Sequence, residues 1–313
     1  MRARAPGKLV LSGAYSVLAG APAIVVAVDR YAEADTERPP ERVTDEVSAA
    51  IAAGAMKRAP WFDASALRAR LADGRDVKLG LGSSAAILVA SMAAAWAEED
   101  RTLDKRDLFA ACLGAHREAQ KGGSGIDVAA STFGGALACW LAPDGSLRVV
   151  PHDLPSGLVL TVFASPVSAS TPDLVGRVRA FSQSAPAAYA QLLGDATAGA
   201  DHAVTATTVT ELVGGLRTQA RALHALGEAA GAPIFTPDVI ALGEIAAEEG
   251  ALFYPSGAGG GDVAIFAGDR PPSERFHREA AALGRFHLAL ATGAPGMFVV
   301  STRSPSGPPP GAV

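Results

Sequence analysis

Four short stretches carry the residues best suited to chemistry. Gly80-Leu81-Gly82-Ser83-Ser84-Ala85-Ala86 joins an expected strand to a long apolar helix. Glycines let a backbone turn tightly and come close to a ligand. The start of a helix adds unpaired N–H groups and the positive end of the dipole. The two serines place hydroxyls where a phosphate or its metal would lie, and the whole makes an anion site. A serine N-cap on a buried helix would account for the same serines. The loop has neither the Gly-Lys-Ser/Thr of a Walker loop nor GxGxxG. The second stretch, Ser256-Gly257-Ala258-Gly259-Gly260-Gly261-Asp262, has more glycine than a turn needs, at a cost in conformational entropy. It predicts a loop lying flat on phosphates or on the first glycine loop; the plainer alternative is a flexible loop. In the third, Gly122-Gly123-Ser124-Gly125-Ile126-Asp127, a carboxylate precedes small and apolar residues. Buried there, it needs a partner or a function, although a helix N-cap is its plainer use. The fourth is Lys8. If Leu9 and Leu11 face the core, alternation turns Lys8 to the other face, where a lone lysine is usually solvated.

The surrounding elements would have to bring these stretches together. Residues 8–13 and 22–28 read as strands around a Gly20–Pro22 turn, with 31–35 extending the second. Helices are expected over 42–58, from the first glycine loop to about Glu99, and over 104–120, where KGGSG stops the chain. A short helical segment at 125–133 leads to strands at 135–141, 146–150 and 158–164. Residues 171–227 are mostly helical, with breaks near Pro186 and Gly194. Thr236, Pro237 and Gly250 punctuate a further helix. A strand at 263–267, a helix near 273–283 and a strand near 297–301 follow. Strands and helices come in blocks, which argues for α+β.

The 313 residues fit one large or two medium domains, and 49% hydrophobic content allows a sizeable core. A net charge of -5 argues against a nucleic-acid binder. Cys112 and Cys139 sit among apolar residues, form no disulfide framework or metal spacing, and point to a reducing compartment. The apolar run 85–97 is too short for a bilayer, and Pro6, Gly7 and Lys8 interrupt any signal-peptide core.

Taken in order, APGKLVLSGAYSVLAGAPAIV, GLGSSAA, GSGIDVAAS and SGAGGGD resemble the GHMP kinases. That superfamily includes galactokinase, homoserine kinase, mevalonate kinase and phosphomevalonate kinase. The likeness spans nearly the whole chain, and ordered motifs are far more specific than any one alone. Within the superfamily the chain looks most like phosphomevalonate kinases, through GSGIDVAAS, PSGAGGGD, APIFTP at 232–237 and STPDLV at 170–175.

The resemblance implies a two-domain α+β fold. An N-terminal domain like ribosomal protein S5 domain 2 would cover 1–157. A ferredoxin-like domain with extra helices would cover 158–303, and a disordered tail 304–313. ATP would lie between the domains, its phosphates over Gly80, Leu81, Gly82, Ser83, Ser84 and Ala85. Ser84 matches the serine that reaches Mg²⁺, Asp127 the catalytic base, and Lys8 the lysine beside the acceptor hydroxyl and transferred phosphate. Gly257, Ala258 and Gly259 match the loop supporting the cradle, and Tyr15, Ser16, Arg30 and Ser124 are further candidates for contact with a small anionic substrate. The implied reaction turns phosphomevalonate into diphosphomevalonate; mevalonate or another acceptor, or a non-catalytic nucleotide-binding homologue, are the alternatives. A cytoplasmic monomer or homodimer, with no membrane partner, is expected. The chain departs from the family pattern in four places. Ala14 replaces the acidic residue of GEY or GEH, the usual proline is missing before GLGSS, and Tyr254 replaces a lysine. His116 stands where several members carry a Mg²⁺-binding glutamate, as it does in phosphomevalonate kinases.

Overall fold

Alternating and β-branched residues around the first turn build a long antiparallel pair, β1 (Arg2–Ser12) with β2 (Pro22–Asp35). The computed structural model describes residues 1–71, 74–166 and 171–300. The tail 304–313, expected to be disordered, and Ser170 of STPDLV lie outside the described residues. After β2 come α1 (Asp45–Ala52), β3 (Trp61–Asp63), β4 (Arg68–Arg70), β5 (Asp76–Lys78), α2 (Ser83–Glu98), α3 (Lys105–Gln120) and α4 (Ile126–Phe133). Then follow β6 (Ala136–Leu141), β7 (Leu147–Pro151), β8 (Val159–Ala164), α5 (Thr171–Ser184), α6 (Pro186–Thr205) and α7 (Val209–Ala230). The chain continues through α8 (Pro237–Glu248), β9 (Leu252–Pro255), β10 (Val263–Gly268), α9 (Glu274–Ala282), β11 (Phe286–His287) and β12 (Phe298–Val300).

Two antiparallel sheets organise the molecule. The first runs β12-β1-β2-β6-β7, with β3 also on β2; the second runs β11-β8-β10-β9. The segment 289–300 returns to the first sheet, where β12 pairs with β1 and Ala291 N–H meets the Asp29 carboxylate. Helix α2 is the central pillar. Every residue from Ala85 to Trp96 is buried, and its alanines let β1, β2, α3 and α4 pack close. Helices α6 and α7 pack closer still. A Cβ on Gly215 would come within 2.6 Å of the Ala203 nitrogen, so the contact requires glycine. Among the described residues no helix is long and apolar enough to cross a membrane.

The structure differs from the sequence expectations in a few elements. Gly194 lies inside α6 and does not break it, because one interior glycine costs only about 1 kcal/mol. The break comes at 206–208, where Thr208 and Glu211 form a capping box. Helix α1 is short: Thr44 caps it and Gly54 follows its end in the left-handed region. Strand β9 carries no clear alternation and was not expected.

Behind the second sheet, Phe276 meets Phe163, Phe253 and Phe266 with ring centroids 5.0–5.3 Å away. Replacing Phe276 with Ala should lower the unfolding free energy by about 3–5 kcal/mol, read as a fall in the urea midpoint at unchanged slope.

Candidate active site

Lys8 is the hinge of the site. Its backbone N–H donates to the Leu81 carbonyl at 2.9 Å and its ammonium to the Gly80 carbonyl at 3.0 Å. The aliphatic stem crosses Gly82, where a Cβ would come within 3.0 Å of Lys8 Cγ. Gly80 is bare for a similar reason: a Cβ there would lie 2.7 Å from Asp262 Cβ. The second glycine-rich stretch closes on the same point, since a Cβ at Gly257 would lie 4.0 Å from Lys8 Nζ. Burial pulls the Lys8 amine below its ordinary value of 10.5; Asp127 and Asp262 oppose that pull. The face opposite Leu9 is therefore a crevice between glycine loops, and the solvated lysine of the plainer reading is not what the structure shows.

The serines do not cap α2. Its N-cap is Gly82, at φ 74 and ψ 40, with no side-chain cap. Ser83 and Ser84 are partly exposed at the helix start. The first-turn N–H groups thus open toward Lys8, which suits an anion. Asp127 is no N-cap either. Gly125 occupies that position in α4, and Asp127 sits in the first turn. Its Oδ1 accepts the Val128 N–H at 3.0 Å, and its Oδ2 lies 3.3 Å from His116 Nε2. Burial would raise the Asp127 pKa, but His116, Lys8 and the Val128 N–H outweigh it and hold the carboxyl below its usual range. Lys8 therefore lies against the turn that opens α2, two residues before Ser84, and within electrostatic reach of Asp127.

Hydrogen bonds stitch the strand carrying Lys8 to the second half of the chain. Val10 N–H donates to Ser256 Oγ at 2.9 Å, Tyr254 OH to the Leu11 carbonyl at 2.9 Å, and Gly13 N–H to Gln219 Oε1 at 3.1 Å. Tyr15 adds the most constrained tie. Ser16 N–H donates to the Ala14 carbonyl at 2.7 Å around Tyr15 at φ 61, ψ -49. This is a positive-φ γ-turn, which strains a non-glycine residue. The phenol donates to the Ala258 carbonyl at 2.8 Å, and burial pushes its pKa up, so it remains a donor. Gly259 packs on the APIFTP segment: a Cβ there would overlap the Ile234 carbonyl.

Other candidates are placed differently. Ser16 is buried beside Tyr15, its hydroxyl without a hydrogen-bond partner among the described residues. The Arg30 guanidinium is engaged by the Ala66 and Ala289 carbonyls, and among the described residues no hydrogen bond or ion pair joins it to Lys8. Ser124 gives its carbonyl to Arg117. Gln219 had no signal in the sequence, being one polar residue on a long helix.

Two departures meet in space. Ala14 and Tyr254 line one narrow cleft, of about 10 Å³, together with Val10, Gln219, Phe235 and Gly257. The acidic residue and the lysine that the resemblance leads one to expect are therefore absent together.

Residues 47–135 match the family described as GHMP kinases N terminal domain. The chain is 31% identical to phosphomevalonate kinase of Streptomyces sp. strain CL190, over 83% of this chain and 88% of that protein. The chain belongs to the GHMP kinase superfamily. It is also 33% identical to mevalonate kinase of Archaeoglobus fulgidus, over 46% of this chain and 53% of that one. Its fold matches Streptococcus pneumoniae phosphomevalonate kinase in complex with phosphomevalonate and AMPPNP at TM-score 0.74 and 18% identity, covering 93% of this chain and 99% of that one.

The glycine loops frame Lys8 on two sides. Gly82→Ala forces a side chain into the left-handed region, at about 1–2 kcal/mol, and presses on Lys8. ATP affinity should fall about tenfold, measured by titration calorimetry of a non-hydrolysable ATP analogue.

Proposed function

We propose that this GHMP kinase transfers the γ-phosphate of ATP to phosphomevalonate, giving diphosphomevalonate and ADP. The observation that carries the reading is the convergence of the Lys8 ammonium, the uncapped start of α2 and the Asp127 carboxylate in one crevice. Phosphoryl transfer depends on positioning and charge neutralisation more than on covalent help, and these groups supply both. The open N–H groups of Ser83, Ser84 and Ala85 hold phosphate oxygens. Lys8 stabilises the charge on the group in flight. The Gly257–Gly261 loop, tied down by Tyr15 and Ile234, shapes the roof.

Mg²⁺ fits this donor set. The described residues hold no group of three or more His, Cys, Asp or Glu that could bind a metal, but Mg²⁺ at nucleotide sites needs only one or two protein groups beside phosphates. Ser84, free of a capping role, is the group that would reach it; Mg²⁺ would supply charge neutralisation at the β and γ oxygens.

Phosphomevalonate is favoured over mevalonate by the longer and fuller alignment with a phosphomevalonate kinase. Mevalonate remains the second reading, on the partial likeness to a mevalonate kinase. The same reading takes residues 1–157 as the S5 domain 2-like unit and 158–303 as the ferredoxin-like unit. The four-stranded antiparallel sheet with α8 and α9 packed against it supports the latter.

Coupled ADP release with mevalonate, phosphomevalonate and diphosphomevalonate tests the assignment. Turnover should be confined to phosphomevalonate, and turnover with mevalonate alone would reject it. Lys8→Met should cut kcat by about a thousandfold or more while ATP-analogue affinity changes little; unchanged kcat would remove Lys8 from the mechanism.

The lowered pKa of Lys8 gives a second check. A group whose pKa is depressed loses its charge earlier as pH rises. The alkaline fall in kcat should therefore set in below pH 10.5. In Lys8→Arg, whose guanidinium stays charged, that limb should vanish from the activity that remains.

A further inference from the structure

We propose that His116 is a positioning residue that sets its Nε2 against Asp127 Oδ2, holding that carboxylate ionised so that it steadies Lys8 and does not take a proton from the acceptor. The proposal rests on the reading of the acceptor as a phosphate monoester.

The geometry comes from two helices and the turn between them. His116 lies on α3 and Asp127 in the first turn of α4, joined through Lys121 at φ 54 and the glycines after it. Nε2 and Oδ2 are 3.3 Å apart, and the imidazole is 3% exposed. Neither ring nitrogen has a partner at full hydrogen-bond geometry among the described residues, and the nearest charged group to the ring is the Asp127 carboxylate, in an ion-pair contact. The other Asp127 oxygen already accepts the Val128 N–H. One carboxylate oxygen is hydrogen-bonded and the other faces the imidazole in an ion-pair contact.

The charges around the ring point the same way. Asp127 faces it from α4 and Glu46 from α1, the latter buried and hydrogen-bonded by Gln120 at 3.2 Å. Arg117, next to it on α3, is anchored on the Gly123, Ser124 and Gly145 carbonyls. Lys8 acts on Asp127 from β1. Burial would discharge the imidazole, and Arg117 works with burial, but Asp127 and Glu46 outweigh both and raise its pKa.

The arrangement makes Asp127 a poor base. An effective general base has a pKa near the working pH, and a carboxyl that His116, Lys8 and the Val128 N–H hold below its usual range lies further from it. An alcohol acceptor would need that base. A phosphate monoester, with a second pKa of about 6, brings an oxygen that is already ionised near neutrality. That oxygen bonds to the γ-phosphorus, the bond from γ-phosphorus to the β-phosphate bridging oxygen breaks, and ADP leaves with that electron pair. No proton has to be removed from the attacking oxygen. Paired with His116, Asp127 also presents little net charge to two incoming phosphates, so the pull of Lys8 is not cancelled.

The test uses the full chain with His116→Leu, His116→Gln, Asp127→Asn and the Leu/Asn double variant. ATP-analogue binding checks that each site is intact. With phosphomevalonate, His116→Leu should lower kcat about tenfold with the ATP KM within about twofold. His116→Gln, whose amide can still donate to Oδ2, should recover most of that loss. Asp127→Asn should cost about as much as His116→Leu, and the double variant no more than either. In the wild type, the NMR titration of the His116 ring should have a raised midpoint that falls in Asp127→Asn. Wild-type kcat in His116→Leu would overturn the proposal. So would an Asp127→Asn loss of about a thousandfold or more with ATP binding intact, the signature of a general base. A ring midpoint indifferent to Asp127→Asn would overturn the pairing by itself. If the panel accepts mevalonate alone, the acceptor reading falls with it, while the ring titration still decides the pairing independently.

Discussion

A buried ammonium has to be compensated where it lies, and Lys8 sets that demand for the whole structure. Taking a charge out of water is expensive unless carbonyls and opposite charges replace the lost hydration. Here the Gly80 carbonyl accepts directly, and Asp127 and Asp262 act from either side. Each compensating group comes from a different motif. The lysine therefore draws together the start of the chain, the first glycine loop, the turn before α4 and the glycine loop before β10. The glycines at 80 and 82 follow from this crowding, because a Cβ at either would displace a charged side chain.

The second consequence is rigidity across the crevice. Strand β1 belongs to the first sheet, yet beyond Leu9 its hydrogen-bonding groups serve Ser256, Tyr254 and Gln219 as well. Each bond contributes about 1 kcal/mol, and the Tyr15 γ-turn offsets part of that through strain. The turn persists because the phenol is fixed at Ala258 on one side and Gly13 at Gln219 on the other. Backbone strain at Tyr15, which is tied to the Gly257–Gly261 loop, is of the kind that pre-organised sites store. It fits a reaction in which geometry does most of the catalysis.

Much of this was legible in the residues. Alternation in β1 put Lys8 opposite Leu9, and punctuation placed α2, α3, α4 and α8 nearly to the residue. The glycine-rich stretches marked the loops that meet. What alternation could not tell was that the second face of β1 is covered. Val10 belongs to a separate buried cluster with Val25, Ile126 and Cys139, so the outward face is an interior one. The His116–Asp127 pair was beyond periodicity, because a left-handed turn separates the two helices and sets their register. Gln219 was illegible for the same reason: its role depends on α7 lying beside Gly13, a long-range contact. The capping box at Thr208 was a local signal, and it outweighed the glycine at 194 because a cap ends a helix while an interior glycine only weakens it.

The two departures at 14 and 254 bear on where charge can reside. A carboxylate at 14 and an ammonium at 254 would face one small pocket, and losing only one would strand its partner without compensation. Both are absent, and what replaces them is neutral and internally satisfied. Tyr254 OH is bonded to the Leu11 carbonyl, and Gln219 to the Gly13 N–H. The pocket around Ala14 therefore offers no formal charge to a ligand. Formal charge is concentrated instead on Lys8, Asp127 and Asp262, around the loop that opens α2. An anionic acceptor must find its electrostatic complement there, beside the very group that is transferred.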